Sequence, residues 1–145
     1  MEETITQTFS NEHSSCDKIF AKAENLVAKK QWAEADTEFT SFYTAMEKHF
    51  AAEEEILFPT FEERTGQTMG PTQVMRMEHQ QVRQILTQMQ TSLAQRDVEQ
   101  YLGLSETLLM LMQQHNMKEE QMLYPMIDQV FGSEAQSLLE RVRAA

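Results

Sequence analysis

Residues 49–59, HFAAEEEILFP, and residues 115–125, HNMKEEQMLYP, are two versions of one pattern, and they decide the fold. Each segment begins with a histidine, has glutamates four and five residues later, and ends with an aromatic residue and a proline. Residues four apart on an α-helix lie on the same face, so the helix directs the imidazole and the first carboxylate to one point. The two segments therefore predict two helices with matching polar faces.

The repeat extends over most of the chain. A shift of 66 positions superimposes the first half of the sequence on the second. The matched polar pairs are Glu12 with Glu78, His13 with His79, His49 with His115, Glu53 with Glu119, and Glu54 with Glu120. Each half thus contributes one histidine from its first helix and a histidine with a glutamate from its second. This pattern predicts two helical hairpins, related by a pseudo-twofold axis and packed into one antiparallel bundle.

Apolar residues at helical spacing define four long helices. The stripes of the first and third helices are Phe9, His13, Cys16, Phe20, Ala23 and Val27, and Met75, His79, Val82, Leu86, Met89 and Leu93. The fourth stripe runs from Tyr101 through His115 and Glu119 to Met122. Pro71 suits the first position of the third helix, and Asp97 with Gln100 has the spacing of a capping box.

We predict an all-α, antiparallel up-down-up-down four-helix bundle with a short C-terminal helix. The single domain would span residues 1–145, with its core over about 9–127. The closing helix would run over about 133–143, with Ser133 as its N-cap.

The composition excludes several classes of partner. A net charge of −11 repels the phosphate backbone, so we expect no nucleic-acid binding. The N-terminal segment has no basic region followed by an apolar run, and no apolar stretch is long enough to span a membrane. A single cysteine, Cys16, fits a reducing compartment. We therefore expect a cytoplasmic protein with no membrane partner and an undetermined oligomeric state.

Six side chains on the core stripes are candidate metal ligands: His13, His49, Glu53, His79, His115 and Glu119. This set is too large for one tetrahedral zinc ion. It suits two octahedral ions, which together accept about twelve donor atoms. Four imidazoles, two bridging carboxylates and a shared oxygen leave one open position on each ion for a small molecule. Burying six polar groups without a metal would be costly, so a purely structural bundle is the third alternative.

At these residues the sequence resembles the hemerythrin-like family, also called the HHE cation-binding domain. The two segments quoted above are similar to its second- and fourth-helix signatures, and NEH at 11–13 and MEH at 77–79 to its single-histidine positions. The resemblance runs from about residue 9 to residue 127. It implies two iron ions with a bridging oxygen, oxo or hydroxo, that react with dioxygen, nitric oxide or peroxide. Ligand counting alone also allows manganese or a mixed pair.

The sequence departs from the oxygen-carrying members at Arg83, where they have a fifth histidine. Those members also use a carboxylate five residues after the last histidine, whereas this chain has both Glu119 and Glu120. The pattern of four histidines and two glutamates is more similar to the branch with bacterial iron-centre repair proteins and the iron-sensing domain of an F-box protein. Helical geometry favours Glu119 over Glu120 as the ligand.

We therefore expect a non-haem di-iron protein that binds or senses dioxygen or nitric oxide, or holds iron. The second alternative is a di-iron enzyme that reduces nitric oxide or peroxide, or donates iron for repair.

Four neighbouring residues receive simpler interpretations from the sequence. Glu54 is expected to be a solvated charge and Arg83 to extend into solvent. Tyr124 is expected to pack as an aromatic ring with a hydrated hydroxyl, and Cys16 to be a buried core thiol.

Overall fold

The computed structural model describes residues 3–145, and helices make up nearly all of this range. The helices are α1 (Ile5–Ala28), α2 (Trp32–Ala52), α3 (Phe58–Thr65), α4 (Pro71–Ala94), α5 (Val98–Lys118), α6 (Tyr124–Phe131) and α7 (Ala135–Ala144). Two π-helical turns, Glu53–Leu57 and Glu119–Leu123, join α2 to α3 and α5 to α6. Residues 3–145 contain no strand, so the predicted all-α class is confirmed.

Four rods form the bundle: α1, α2 with α3, α4, and α5 with α6. Helix α1 packs on α2 and α5, and α4 packs on α5 and α2, which gives the predicted four-helix arrangement. The two hairpin turns have the same backbone conformation, because the matched residues Lys30 and Arg96 both adopt left-handed φ values, of 59° and 56°. No helix within residues 3–145 is long and apolar enough to cross a membrane.

A polar layer divides the apolar core into two clusters. One cluster, which includes Phe20, Phe39 and Leu86, fills the end of the bundle near the hairpin turns. The other includes Phe61 and Ile127 and fills the opposite end, where α3 and α6 lie. The buried histidines and glutamates lie between these clusters on each rod. The polar residues are thus enclosed by apolar packing on both sides.

The π-helical turns change the register of the second and fourth rods. Each turn closes with a hydrogen bond from the amide five residues later, from Phe58 to the Glu53 carbonyl and from Tyr124 to the Glu119 carbonyl. One additional residue then fits into the turn, so the apolar stripe shifts by one position. The predicted stripe residue Met122 is consequently 64% exposed, and Leu123 is buried in its place.

One residue separates each of these turns from a proline, and the π turn explains why the helix continues past it. A proline lacks the amide hydrogen and collides with the carbonyl four residues earlier in a regular α-helix. The wider π turn displaces that carbonyl. In the first half, the Glu54 carbonyl, five residues before Pro59, accepts a hydrogen bond from Arg76 Nη1 at 3.2 Å.

The predicted helix starts are correct in two of three places. Helix α4 begins at Pro71, and the Asp97 carboxylate accepts from the amide of Gln100 at 3.1 Å at the start of α5. The predicted cap at Ser133 is wrong. Residues Gly132–Glu134 form a 3₁₀ turn, and α7 starts at Ala135 without a capping side chain among the described residues.

Candidate metal centre

The six predicted ligands come together in the middle of the bundle. Each is at most 4% exposed. Their donor atoms form two groups within which all atoms lie within 4.8 Å of one another. The groups are His13, His49 and Glu119, and Glu53, His79, His115 and Glu119. Below, they are called the His13/His49 end and the His79/His115 end. Glu119 belongs to both, which is the position of a bridging carboxylate.

The spacing of the donor atoms fits a shared cation. Neighbouring ligands about 2.1 Å from an octahedral metal lie about 3.0 Å apart. His13 Nε2 lies 3.1 Å from His49 Nε2 and 3.1 Å from Glu119 Oε1. At the other end, His79 Nε2 lies 3.1 Å from Glu53 Oε1 and His115 Nε2 lies 3.2 Å from Glu119 Oε1.

Several of these atoms have no hydrogen-bond partner among residues 3–145. They are Glu53 Oε1, Glu119 Oε2, His79 Nε2 and His115 Nε2. A buried polar atom without a partner costs about 1–3 kcal/mol, and more when it is charged. All four atoms belong to one cluster of alternating imidazole nitrogens and carboxylate oxygens, which is the donor set that divalent transition metals take in helical bundles. The residues present therefore fit a pair of metal cations.

A second layer of carboxylates orients the imidazoles. The Nδ1 atoms of His13, His49, His79 and His115 lie 2.6, 2.6, 2.6 and 2.7 Å from oxygens of Glu120, Glu12, Glu54 and Glu78, respectively. An ionised carboxylate only accepts, so Nδ1 carries the proton and Nε2 is left with its lone pair. This carboxylate–histidine arrangement typically fixes a metal-binding tautomer.

The interpretation of Glu54 as a solvated charge is therefore wrong. Its side chain is only 20% exposed and binds His79, which lies on another helix. Glu120 binds His13 in the same way. The spacing of residues along one helix does not reveal contacts between helices. The sequence repeat, however, does indicate these outer glutamates. Four of the six inner residues have a glutamate next to them that recurs under the same shift, as Glu12 precedes His13.

Arg83 does not extend into solvent either. Its Nη1 and Nη2 atoms donate to the two oxygens of Glu54 at 3.0 and 3.1 Å, and its Nε donates to Glu47 at 3.0 Å. The guanidinium also lies over the ring of Phe50, 5.2 Å from its centroid. Arg83 therefore positions the Glu54 carboxylate, which in turn orients the His79 imidazole.

Tyr124 reaches the centre directly, contrary to the expectation of a hydrated hydroxyl. Its side chain is fully buried, and its hydroxyl lies 2.6 Å from Glu53 Oε2 and 2.9 Å from Glu119 Oε1. The same oxygen is 3.2 Å from His13 Nε2. The equivalent residue in the other half is Phe58, which has no hydroxyl. The tyrosine therefore distinguishes the His13/His49 end.

The space beside the two histidine pairs also differs. Phe50 stacks on His79 with a centroid distance of 3.9 Å and an interplanar angle of 18°. The residue equivalent to Phe50 in the repeat is Asn116, and beside it a cavity of about 20 Å³ adjoins His13 and His49. Asn116 Oδ1 is buried without a hydrogen-bond partner in the described range. The other cavity residues are mostly apolar and include Cys16, which is buried as predicted.

Burial and mutual charge give the inner carboxyls opposite proton affinities. Burial, together with the charge of Glu119, raises the pKa of Glu53 well above its ordinary value. Burial acts in the same sense on Glu119, but hydrogen bonds from Glu53 and His115 outweigh it and lower the pKa of Glu119. In the metal-free protein Glu53 is therefore the protonated member of the pair, and a cation must displace its proton.

The histidines of the His79/His115 end also differ in their proton affinity. Burial and the neighbouring His115 lower the pKa of His79 to about 4. Burial also disfavours the charged form of His115, but the Glu119 carboxylate, 3.2 Å from its Nε2, and the other nearby carboxylates raise its pKa to about 9.

A four-helix bundle that buries four imidazoles and two carboxylates at metal-ligand spacing is a metal-binding helical protein. The family model described as hemerythrin HHE cation binding domain matches residues 4–127, which include all six inner residues and the four outer glutamates. The chain belongs to this family. Searches of curated proteins and of solved structures gave no match.

Proposed function

We propose that the chain holds a pair of iron ions in this centre and uses them to bind or sense dioxygen or nitric oxide. His13 and His49 would hold one ion and His79 and His115 the other, with Glu119 shared between them and Glu53 nearer to the second. The proposal of a pair is supported by the two donor groups that share Glu119. Iron is supported by the family and by the mixture of imidazole and carboxylate donors, which manganese also accepts.

The observation that carries the choice of a small ligand is the cavity beside His13 and His49. A volume of about 20 Å³ has room for a water-sized or diatomic molecule. Its mostly apolar lining favours a neutral guest over an ion. We propose that the ligand reaches the metal centre from this cavity. The stacked ring of Phe50 disfavours equivalent access over His79.

The iron ions, when bound, would supply a change of oxidation state and an exchangeable coordination position. The residues of the chain provide the surroundings. Tyr124 donates its hydroxyl proton to the inner carboxyls, and its oxygen lies 3.2 Å from His13 Nε2, at the end where we propose that the ligand binds. The apolar clusters on both sides exclude bulk water from the centre. The outer glutamates accept the Nδ1 protons, so the Nε2 atoms are the ones that would face the ions.

The first experiment measures iron and ligand binding together. Anaerobically loaded protein should contain two iron atoms per chain by elemental analysis, and the reduced form should give a reversible spectral change with nitric oxide. A single zinc per chain that does not respond to iron supply would refute the di-iron proposal. Steady consumption of nitric oxide or peroxide with an electron donor would favour the enzyme alternative over a binder or sensor.

A dioxygen titration then separates sensing from carriage. The chain has Arg83 where oxygen carriers have a fifth histidine, and an arginine does not ligate iron because it keeps its proton. We therefore expect the oxygen adduct to decay to the oxidised form. A stable adduct that releases oxygen intact at lower oxygen pressure would instead indicate an oxygen carrier.

A further inference from the structure

The outer carboxylates are neutralised at only one end of the centre. At the His79/His115 end, Glu54 is paired with Arg83 at 3.0 Å and Glu78 with Lys118 at 2.5 Å. At the His13/His49 end, Glu12 and Glu120 contact histidines, and neither is within 4 Å of a lysine or arginine nitrogen among residues 3–145. At the positions equivalent to Arg83 and Lys118, the other half of the repeat has an acidic residue and a neutral one.

These replacements change the local charge by three units, and Glu47, which pairs with Arg83 and is matched by Gln113 in the repeat, offsets one of them. Position 17, equivalent to Arg83, is an aspartate, and position 52, equivalent to Lys118, is an alanine. Burial and the charge of Glu120 raise the pKa of Asp17, although His13 opposes them, so this carboxyl lies within electrostatic reach of both. The His13/His49 end therefore has additional negative charge where the other end has positive charge.

Solvent exposure of the outer carboxylates weakens this charge difference between the two ends but does not remove it. The side chains of Glu12 and Glu120 are 42% and 38% exposed, so water screens them more than Glu54 and Glu78, which are 20% exposed. However, each still makes a 2.6 Å hydrogen bond to its histidine. Unneutralised carboxylates strengthen the imidazole as a donor and favour the higher charge on its metal, whereas nearby cations oppose that charge.

We propose that the two metal positions are inequivalent in redox terms, and that the ion held by His13 and His49 is the first to be oxidised. The inference rests on the proposed pair of iron ions. With two ferrous ions bound, a one-electron acceptor would take the first electron from the ion held by His13 and His49. Loss of a second electron oxidises the ion at the His79/His115 end. Arg83 and Lys118 act as positioning residues that keep the second ion reduced.

The test is an anaerobic spectroelectrochemical titration of the iron-loaded full chain, with ferricyanide as the oxidant. Replacing the cations, in Arg83→Gln/Lys118→Gln, should lower the second potential more than the first. Neutralising the carboxylates, in Glu12→Gln/Glu120→Gln, should raise the first more than the second, because glutamine keeps the acceptor for Nδ1. We expect at least a tenfold change in the affected equilibrium, about 59 mV for one electron.

Arg96→Gln is the matched control. Arg96 pairs with Asp36 at 2.8 Å near the hairpin turns and stacks on Trp32, so its replacement removes one positive charge, as Lys118→Gln does, without touching the centre. Lys118→Gln alone covers the case in which the double variant loses iron, because Lys118 is half exposed. Equal shifts of both potentials in every variant would overturn the inference. Wild-type protein with fewer than two iron atoms would instead refute the proposed function.

Discussion

The two ends of the metal centre have the same histidines and differ in almost everything around them. The His13/His49 end has the Tyr124 hydroxyl and a cavity, whereas at the His79/His115 end a phenyl ring covers His79. Within residues 3–145, the outer carboxylates have no lysine or arginine nitrogen within 4 Å at the first end and are paired with one each at the second. The two similar hairpins thus supply a symmetric set of polar side chains, while different residues at the neighbouring positions leave a cavity beside one histidine pair and place a ring over a histidine of the other.

The largest expected effect tests whether both ends share one carboxylate. Glu119 lies in both donor groups and Glu53 in only one, so Glu119→Ala should lose both metals and Glu53→Ala should retain about half of the iron. Iron per chain, measured by elemental analysis after anaerobic loading, gives the answer. Equal losses in the two variants would mean that the ends share both carboxylates equally.

The adjacent glutamates are the matched controls for this prediction. Glu54→Ala and Glu120→Ala remove a carboxylate that orients His79 or His13 without removing a ligand. Loss of such a partner typically weakens metal affinity by about 10–100-fold, so both variants should still fill at saturating iron. If Glu120→Ala loses its iron and Glu119→Ala retains it, then Glu120 is the ligand on the fourth rod.

The second prediction concerns a variant that fills the cavity beside His13 and His49, so that both ends of the centre have a phenyl ring at the equivalent position. Asn116→Phe places at position 116 the residue that covers His79 from position 50. The ring should fill the cavity and slow or weaken nitric oxide binding at least about tenfold, which corresponds to about 1.4 kcal/mol, with the iron content unchanged. Stopped-flow mixing of reduced protein with nitric oxide measures the effect.

Two further variants test whether slower nitric oxide binding in Asn116→Phe results from the filled cavity. Met117→Phe adds a ring at a neighbouring side chain that is 55% exposed, and it should bind nitric oxide as the wild type does. Asn116→Ala enlarges the cavity and should keep or accelerate binding. Wild-type kinetics in Asn116→Phe would mean that the ligand approaches the centre by another route.

The all-α fold and the gathering of the six inner residues follow from local rules. The stripes of α1 and α4 are buried at every predicted position, because a regular helix converts spacing in the sequence directly into a face. The predicted fourth stripe fails at Met122, beyond Glu119, because the π turn adds a residue that no periodicity of a regular helix contains. The proline at the same place in both halves was the feature of the sequence that indicated a departure from regular α-helix there.

The interactions between rods could not be predicted in the same way. The roles of Glu54, Arg83 and Tyr124 depend on which side chains of other helices they meet, and the spacing within one helix carries no such information. Arg83 was expected in solvent because burial of a lone cation is costly, but two carboxylates, of Glu47 and Glu54, compensate that cost. Tyr124 was expected to keep a hydrated hydroxyl, and the inner carboxyls replace the water.

The third prediction concerns the hydroxyl that one end has and the other lacks. Tyr124→Phe copies Phe58 and leaves Glu53 Oε2 without its 2.6 Å partner. A lost hydrogen bond to a buried carboxyl costs about 1–3 kcal/mol, so the metal-free protein should lose that much stability in urea. The loss should be smaller in iron-loaded protein, where the cation becomes the partner of the carboxylate. Tyr43→Phe, at a half-exposed hydroxyl, should change stability by less than about 0.5 kcal/mol.

The smallest effect is expected at Cys16, one turn after His13 and equivalent to Val82 in the other half. The thiol adjoins the cavity, but burial raises its pKa to about 11, so below that pH it is a neutral thiol. At pH 8 only about 0.1% is thiolate, and alkylation of the folded protein should accelerate about tenfold per pH unit up to the pKa. Cys16→Val should therefore leave iron content and nitric oxide binding within about twofold of wild type, since it replaces one small core residue by another. A loss of nitric oxide binding in Cys16→Val would show that the thiol takes part in the reaction, because the valine keeps the packing and removes only the sulfur.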